Sequence, residues 1–296
     1  MDDKSGKIDL HIHSNASDGS LAPAQILSRA AACGLAAISI TDHDTVAGVK
    51  IALQLKLSEG PAFISGVEIS SEFPRGFNAA GSMHLLGYGF DPYNPPLQEL
   101  LEKQQQSRAR RNPRILEKLA DLGIDIQMAD VTAEARKDEI ARPHIAAHLV
   151  KKGYAASIDD AFDRFLGKGQ PAYVDRFRIN PEEAIFHIHQ SGGVAVLAHP
   201  GLLGFEPGGE LEKLIAALTA MGLDGLEAYY SGHSPAQTAA FEAIAEQYDL
   251  LLTGGSDFHG DINPEIRMGT GAGELHVPYE LFVRLCRTLQ DRTSTG

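Results

Sequence analysis

The chain has 296 residues, 43% of them hydrophobic and 22% charged, with a formal net charge of -13. A chain of this length can bury one large core, or a core plus an inserted unit, without a metal or disulfide to hold it together. The acidic balance argues against a surface built for nonspecific duplex DNA binding, although a metal-lined pocket stays compatible with an anionic substrate. Cys33 and Cys286, far apart in apolar surroundings, read as buried free thiols in a reducing compartment. The N-terminus lacks the apolar segment of a signal peptide and no stretch reads as a membrane span, so a cytoplasmic protein is expected.

Taken in chain order, Ile8, Leu10 and Ile12 alternate with Asp9, His11 and His13, the period of a strand, and place both histidines on one face. Pro23 to Cys33 suits a helix after a Ser20 cap. Ala37–Ile40 is a second strand, Val46–Leu57 a helix, Ala62–Ile69 a third strand and Met83–Tyr88 a fourth. The rhythm then breaks at Asp91-Pro92-Tyr93-Asn94-Pro95-Pro96, and residues 97–171 read as an inserted helical cap or substrate domain. Its basic run, Lys103 to Lys118, is interleaved with acidic residues and reads as a solvated helix face. The alternation resumes with a helix from Pro181, strands at Val194–Ala198, Gly225–Ala228 and Leu250–Thr253, and helices between them. Seven short strands largely separated by helices favour an α/β barrel or an open parallel sheet. His11, His13, His43, Glu68, His84, His199 and Asp257 all fall at or beyond the carboxyl ends of apolar runs, and convergence from so many strands favours a closed barrel formed by residues 1–96 and 172–296.

Histidine, aspartate and glutamate supply ligands suited to Zn, Mn or Fe, and the absence of nearby cysteine argues against a structural thiolate site. His11-x-His13, Thr41-Asp42-His43-Asp44 and Asp257-Phe258-His259, together with the isolated Glu68, His84 and His199, exceed what one catalytic ion needs, so a multinuclear site is implied. These elements, in this order, resemble the signature of the polymerase-and-histidinol-phosphatase (PHP) family. Asp9-Leu10-His11-Ile12-His13-Ser14, Arg142-Pro143-His144-Ile145-Ala146 and Gly167-Lys168-Gly169-Gln170-Pro171-Ala172-Tyr173-Val174 resemble the branch holding bacterial 3',5'-nucleoside bisphosphate phosphatases and related 5'-to-3' exoribonucleases.

The resemblance implies a distorted seven-stranded TIM-like (β/α) barrel and a trinuclear site. His11, His13 and Asp257 would hold a first metal, Glu68 would bridge to a second held by His84 and His199, and Asp18, His43 and His259 would hold a third. Many relatives have histidine where Asp18 stands. Two or three Mn2+ are expected, with Zn2+, Fe2+ or Mg2+ as alternatives. Asp42 and Asp44 would support the histidines, or Asp44 would cap the following helix or take part in the chemistry.

Closely spaced metals activate a water and stabilise in-line displacement at phosphorus, and no serine-nucleophile elbow, P-loop or dinucleotide fingerprint competes with that reading. The expected activity is removal of the 3'-phosphate from nucleoside 3',5'-bisphosphates by metal-activated hydroxide. Alternatives are 5'-to-3' cleavage of short 5'-phosphorylated RNA, histidinol-phosphate hydrolysis, and a metal-binding regulatory module without catalysis. Arg142 leads the phosphate-binding candidates, followed by His144, Lys168, Arg176 and Arg178. His233, after the sixth strand, is either a phosphate contact and proton donor or a loop histidine without catalytic duty. Asp257 is the other catalytic candidate.

Overall fold

Alternating short β-branched runs and alanine-rich amphipathic stretches produce strands and helices over most of the chain. The computed structural model describes residues 6–55, 60–79, 81–132, 142–174, 177–205 and 209–295. The chain divides into two compact units, Met1–Leu101 with Arg178–Gly296, and Glu102–Phe177.

The first unit carries β1 (Ile8–Asp9), α1 (Pro23–Ala32), β2 (Ala37–Ile40), α2 (Ala47–Gln54), β3 (Ala62–Ser71) and β4 (Met83–Tyr88), then the start of α3 (Pro95–Asp121). The second unit continues α3 and adds α4 (Met128–Thr132), α5 (Arg142–Lys151), α6 (Ile158–Ala161) and a π-helical turn at Phe162–Leu166. The first unit resumes with α7 (Pro181–Gln190), β5 (Val194–Leu197), α8 (Gly209–Ala220), β6 (Gly225–Tyr230), α9 (Pro235–Gln247), β7 (Leu251–Gly255) and α10 (Tyr279–Thr295).

The seven strands form one sheet in sequence order. Neighbours are parallel except that β4 runs antiparallel to both β3 and β5. The sheet closes on itself where Leu10 N donates to Gly254 O at 3.1 Å and Ile12 bridges Phe258. This is the expected seven-stranded α/β barrel, distorted by the reversal of one strand. The reversal corrects one expectation, because His84 lies at the amino end of β4. An antiparallel strand begins on the rim where its neighbours end, so His84 still reaches the ligand rim.

Ile8, Leu10, Tyr88, Val194 and Val196 fill the barrel together with Leu281, Phe282 and Leu285 of α10, a helix absent from the pattern read up to β7. The buried Tyr88 hydroxyl donates to Leu10 O at 2.9 Å, which satisfies its polar end inside this apolar core. The second unit has its own core, centred on Ile115, Leu119, Ile145, Leu149 and Leu166.

Three local expectations change. The N-cap of α1 is Ala22, and Gln25 returns its side chain to the Ala22 N–H; Ser20 Oγ instead accepts from Asp261 N at 2.8 Å. Asp44 does not cap α2, whose N-cap is Val46. Cys33 and Cys286 are free, but Cys33 is exposed just past the end of α1 and Cys286 is only half-buried, packed against the barrel core from α10. No helix among the described residues is long and apolar enough to cross a membrane.

Candidate metal centre

The buried carboxylate of Glu68 sits where the ligand-bearing segments converge. Its Oε2 lies 3.2 Å from each of His11 Nε2, His13 Nε2 and His43 Nδ1, while Oε1 lies 2.7 Å from His84 Nδ1 and 2.9 Å from His199 Nε2. Backbone pairing places it there: Glu68 N donates to Asp42 O at 3.2 Å, and Asp44 N donates to Glu68 O at 2.8 Å. β3 is thereby fastened to the segment that carries His43.

Three overlapping groups have ligand atoms within 4.8 Å of one another: His11, His13, Glu68 and Asp257; His43, Glu68 and His84; and His13, Asp18, His43 and His259. The first is the set expected for one metal. His43 joins Glu68 and His84 in the second, and His199 faces the same Glu68 oxygen as His84. Asp18 reaches His13, His43 and His259 at 3.0, 3.4 and 3.3 Å, so its carboxylate points into the third group.

These residues fit divalent cations. The Nε2 of His13 and Nδ1 of His43 are buried without a hydrogen-bond partner, although each points at Glu68, as expected of lone pairs converging on a shared cation. The donor set of imidazoles and carboxylates suits Zn, Mn or Fe. Without the positive charge of a metal, the cluster draws protons instead. Burial alone would depress the His11 and His13 pKa values, but Glu227, Asp257 and Glu68 around His11, and Asp18 beside His13, hold both well above the ordinary range. Burial would raise the carboxyls of Glu68, Asp18 and Asp257, and the surrounding histidines hold all three well below it. His43 is pushed down to about 4, mainly by burial.

Outside this ring, a second set of carboxylates fixes backbone. Asp9 accepts from Ser256 N at 2.8 Å and Gly269 N at 2.7 Å, tying β1 to the segment bearing Asp257; its burial raises its pKa to about 6. Asp42 accepts from Ser14 N and Ser14 Oγ, both at 2.7 Å, and from Ser17 Oγ at 2.8 Å, which pins the turn between His13 and Asp18. Asp44 accepts from Ser70 N at 2.7 Å and Ser70 Oγ at 3.0 Å. Tyr230 donates its hydroxyl to Asp257 Oδ2 at 3.1 Å, and burial together with Asp257 raises its pKa so that it keeps the proton. Asp44, His199 and Asp257 adopt left-handed backbone with φ of 54°, 27° and 58°, strained values for residues with a Cβ.

One participant escaped the sequence reading. Glu227, fully buried on β6, accepts from His11 Nδ1 at 2.9 Å and from His199 N at 2.8 Å. Its only signal in the sequence is a carboxylate between Leu226 and Ala228 in an otherwise apolar strand.

A cavity of about 300 Å3 opens over the ligands, lined by His43, Glu68, Ser82, His84, His199, Leu202, Asp257 and His259. His233 is not turned toward it. Its Nδ1 lies 2.9 Å from Ala228 O and its Nε2 accepts from Gly201 N at 3.1 Å. A carbonyl can only accept and an N–H can only donate, so these partners fix a neutral imidazole with Nδ1 protonated. Burial likewise lowers its pKa. With both nitrogens held by backbone, His233 braces the turn after His199, and the expectation of a proton donor there gives way.

The remaining substrate candidates separate. Arg178 belongs to the first unit, beside Ile179, which bridges Ser71 at the end of β3; its Nε is buried without a hydrogen-bond partner. Arg142 belongs to the second unit, where it donates to Leu166 O at 3.1 Å and lies over the rings of Phe162 and Tyr173. His144 and Lys168 are exposed, also in the second unit. Arg176 lies outside the described residues. In the basic run, Arg110 and Arg114 are exposed as expected, whereas Arg111 and Lys118 donate to Val174 O and Tyr173 O.

The model of the PHP domain matches residues 9–94. Over 254 residues the chain is 37% identical to a 5'-3' exoribonuclease of Haemophilus influenzae, covering 86% of this chain and 90% of the relative. The chain belongs to the PHP family. Within it, the protein is also 33% identical over 261 residues to a 3',5'-nucleoside bisphosphate phosphatase of Chromobacterium violaceum, covering 85% and 87% of the two chains. A solved structure of an amidohydrolase from Chromobacterium violaceum, with bound sulfate and no metal, matches with a TM-score of 0.74 and 31% identity over 97% of this chain and 96% of that one. PHP membership and the three ligand groups identify this protein as a metal-dependent phosphoesterase.

Proposed function

We propose that the protein hydrolyses the 3'-phosphate of nucleoside 3',5'-bisphosphates, such as adenosine 3',5'-bisphosphate, with two or three Mn2+ at the PHP site. The observation that carries this reading is the overlap of three ligand groups, two of them sharing Glu68, beneath a cavity of about 300 Å3, a volume suited to a small phosphorylated molecule. Divalent ions held there would lower the pKa of a water and neutralise charge on phosphate oxygens. The protein's part is to hold that arrangement: Glu68 spans two groups, Asp257 is fixed by Tyr230, and His84 and His199 share the other Glu68 oxygen. Arg178 supports recognition of a second anionic group, since a buried guanidinium nitrogen without a partner favours a charged acceptor. The similarity to the Chromobacterium violaceum phosphatase supports the choice of substrate.

Removal of nucleotides from the 5' end of short RNA is the second reading, favoured by the 37% identity to the Haemophilus influenzae exoribonuclease. Phosphate release from adenosine 3',5'-bisphosphate should be compared with mononucleotide release from a short 5'-phosphorylated RNA, both with Mn2+. Rapid bisphosphate turnover is expected. RNA degradation with negligible bisphosphate turnover would replace the first reading by the second.

A further inference from the structure

The ligands of the PHP centre come from separate strand ends, and something must fix which imidazole nitrogen each presents. For His11 that task falls on a side chain that also holds the backbone of His199. We propose that Glu227 is a positioning residue that sets the protonation pattern of His11 and the backbone of His199 together, and so couples ligands on opposite sides of Glu68.

The argument rests on donor and acceptor chemistry. A carboxylate only accepts, so the 2.9 Å contact between Glu227 Oε1 and His11 Nδ1 places a proton on Nδ1. With Nδ1 committed to Glu227, Nε2 is the nitrogen that would offer its lone pair to a bound cation; in the metal-free protein it faces the acceptors Glu68 Oε2 at 3.2 Å and Asp257 Oδ1 at 3.4 Å. The second carboxylate oxygen accepts from His199 N at 2.8 Å, at a residue whose φ of 27° is strained. An unsupported backbone would relax from that value, and His199 Nε2 would leave its position 2.9 Å from Glu68 Oε1. The two functions are inseparable because both oxygens belong to one buried group on a barrel strand, held at 0% exposure. An orienting carboxylate behind a metal-binding histidine typically strengthens metal affinity 10- to 100-fold.

Glu227→Gln separates this role from mere space filling. Glutamine keeps the volume but has one acceptor and one donor where two N–H groups need acceptors. Its amide must confront either His11 Nδ1, driving the imidazole proton to Nε2, or the N–H of His199. In either orientation one ligand loses its presentation. Titration of the full-length metal-free protein with Mn2+ should therefore show at least one equivalent weakened by about 10- to 100-fold in Glu227→Gln, with folding retained by circular dichroism. Nitrogen-15 NMR of the wild-type protein loaded with diamagnetic Zn2+ should show a hydrogen-bonded, slowly exchanging proton on His11 Nδ1. Unchanged Mn2+ affinity in Glu227→Gln would overturn the proposal, as would a wild-type His11 proton on Nε2. The wild-type measurement decides the matter even where the variant does not fold, and neither measurement depends on the identity of the substrate.

Discussion

Replacing Glu68 by Gln tests the centre most directly, because the change preserves shape and removes the charge that the histidines share. In metal-free protein, His11 and His13 carry raised pKa values and Glu68 a depressed one. The histidine contribution to stability is complete below the ordinary histidine value and is lost as pH rises through the raised values. The Glu68 contribution is complete above the ordinary glutamate value and is lost as pH falls through the depressed one. Both are present together from about pH 5 to about pH 6.5, and the pairing persists above that until the histidines lose their protons. Removing one partner of a buried ion pair costs about 3–5 kcal/mol, so Glu68→Gln should be destabilised by that order at pH 6 and by much less at high pH. With an m-value of about 3 kcal/mol/M, the urea midpoint of EDTA-treated protein should fall by about 1 M or more at pH 6. Adding metal should widen the difference, since the carboxylate common to two ligand groups is gone. Superimposable urea curves for the two proteins at pH 6 would refute this account of the cluster.

Asp18→Asn should reduce bound Mn2+ by about one equivalent, measured by elemental analysis after dialysis, while the group around His11 keeps its ion; loss of all metal would show that the positions cannot be filled independently. His233→Ala removes two hydrogen bonds to backbone and should cost about 1–3 kcal/mol, with kcat falling less than about tenfold. Loss of a general acid would instead lower kcat by about 10²–10⁴, so a drop of that size at unchanged stability would restore His233 as the proton donor. Gly255→Ala would set a Cβ 2.3 Å from both the backbone nitrogen and the Cβ of His11, so β7 or β1 must shift. A cost of about 1–3 kcal/mol is expected from such overpacking, with weaker Mn2+ binding in titration; wild-type affinity would show that the strand ends absorb the clash.

The clustering of the candidate ligands was legible because their spacing reflects strand geometry. His11 and His13, two residues apart, lie on one face, with ring centroids 5.2 Å apart. His43, Glu68, His199 and Asp257 follow apolar runs whose pairing in the barrel brings them to one rim. Strand direction was not legible: Met83–Tyr88 reads equally well either way, and only the pairing of Ser71 with Met83 reveals that β4 is reversed. Side-chain destinations were harder still. Asp44 and Ser20 look like caps from their neighbours in sequence, yet their partners, Ser70 and Asp261, are distant along the chain. Glu227 offers only a lone acidic residue in an apolar strand, and its meaning depends on His11, 216 positions away. The same limit applies to His233, whose loop position suited a proton donor until Gly201 N and Ala228 O were found to occupy both ring nitrogens.

The left-handed backbone of Asp44, His199 and Asp257 has a consequence for how this protein can be altered. Each of these residues is conformationally disfavoured by about 1–3 kcal/mol, and glycine at any of them would relieve the strain. Selection for heat resistance alone would thus be drawn toward the positions where a substitution removes a ligand or its support. Increments of stability at these sites come at the expense of the chemistry, so thermostable and active versions of this barrel should diverge in sequence far from the rim and agree at it.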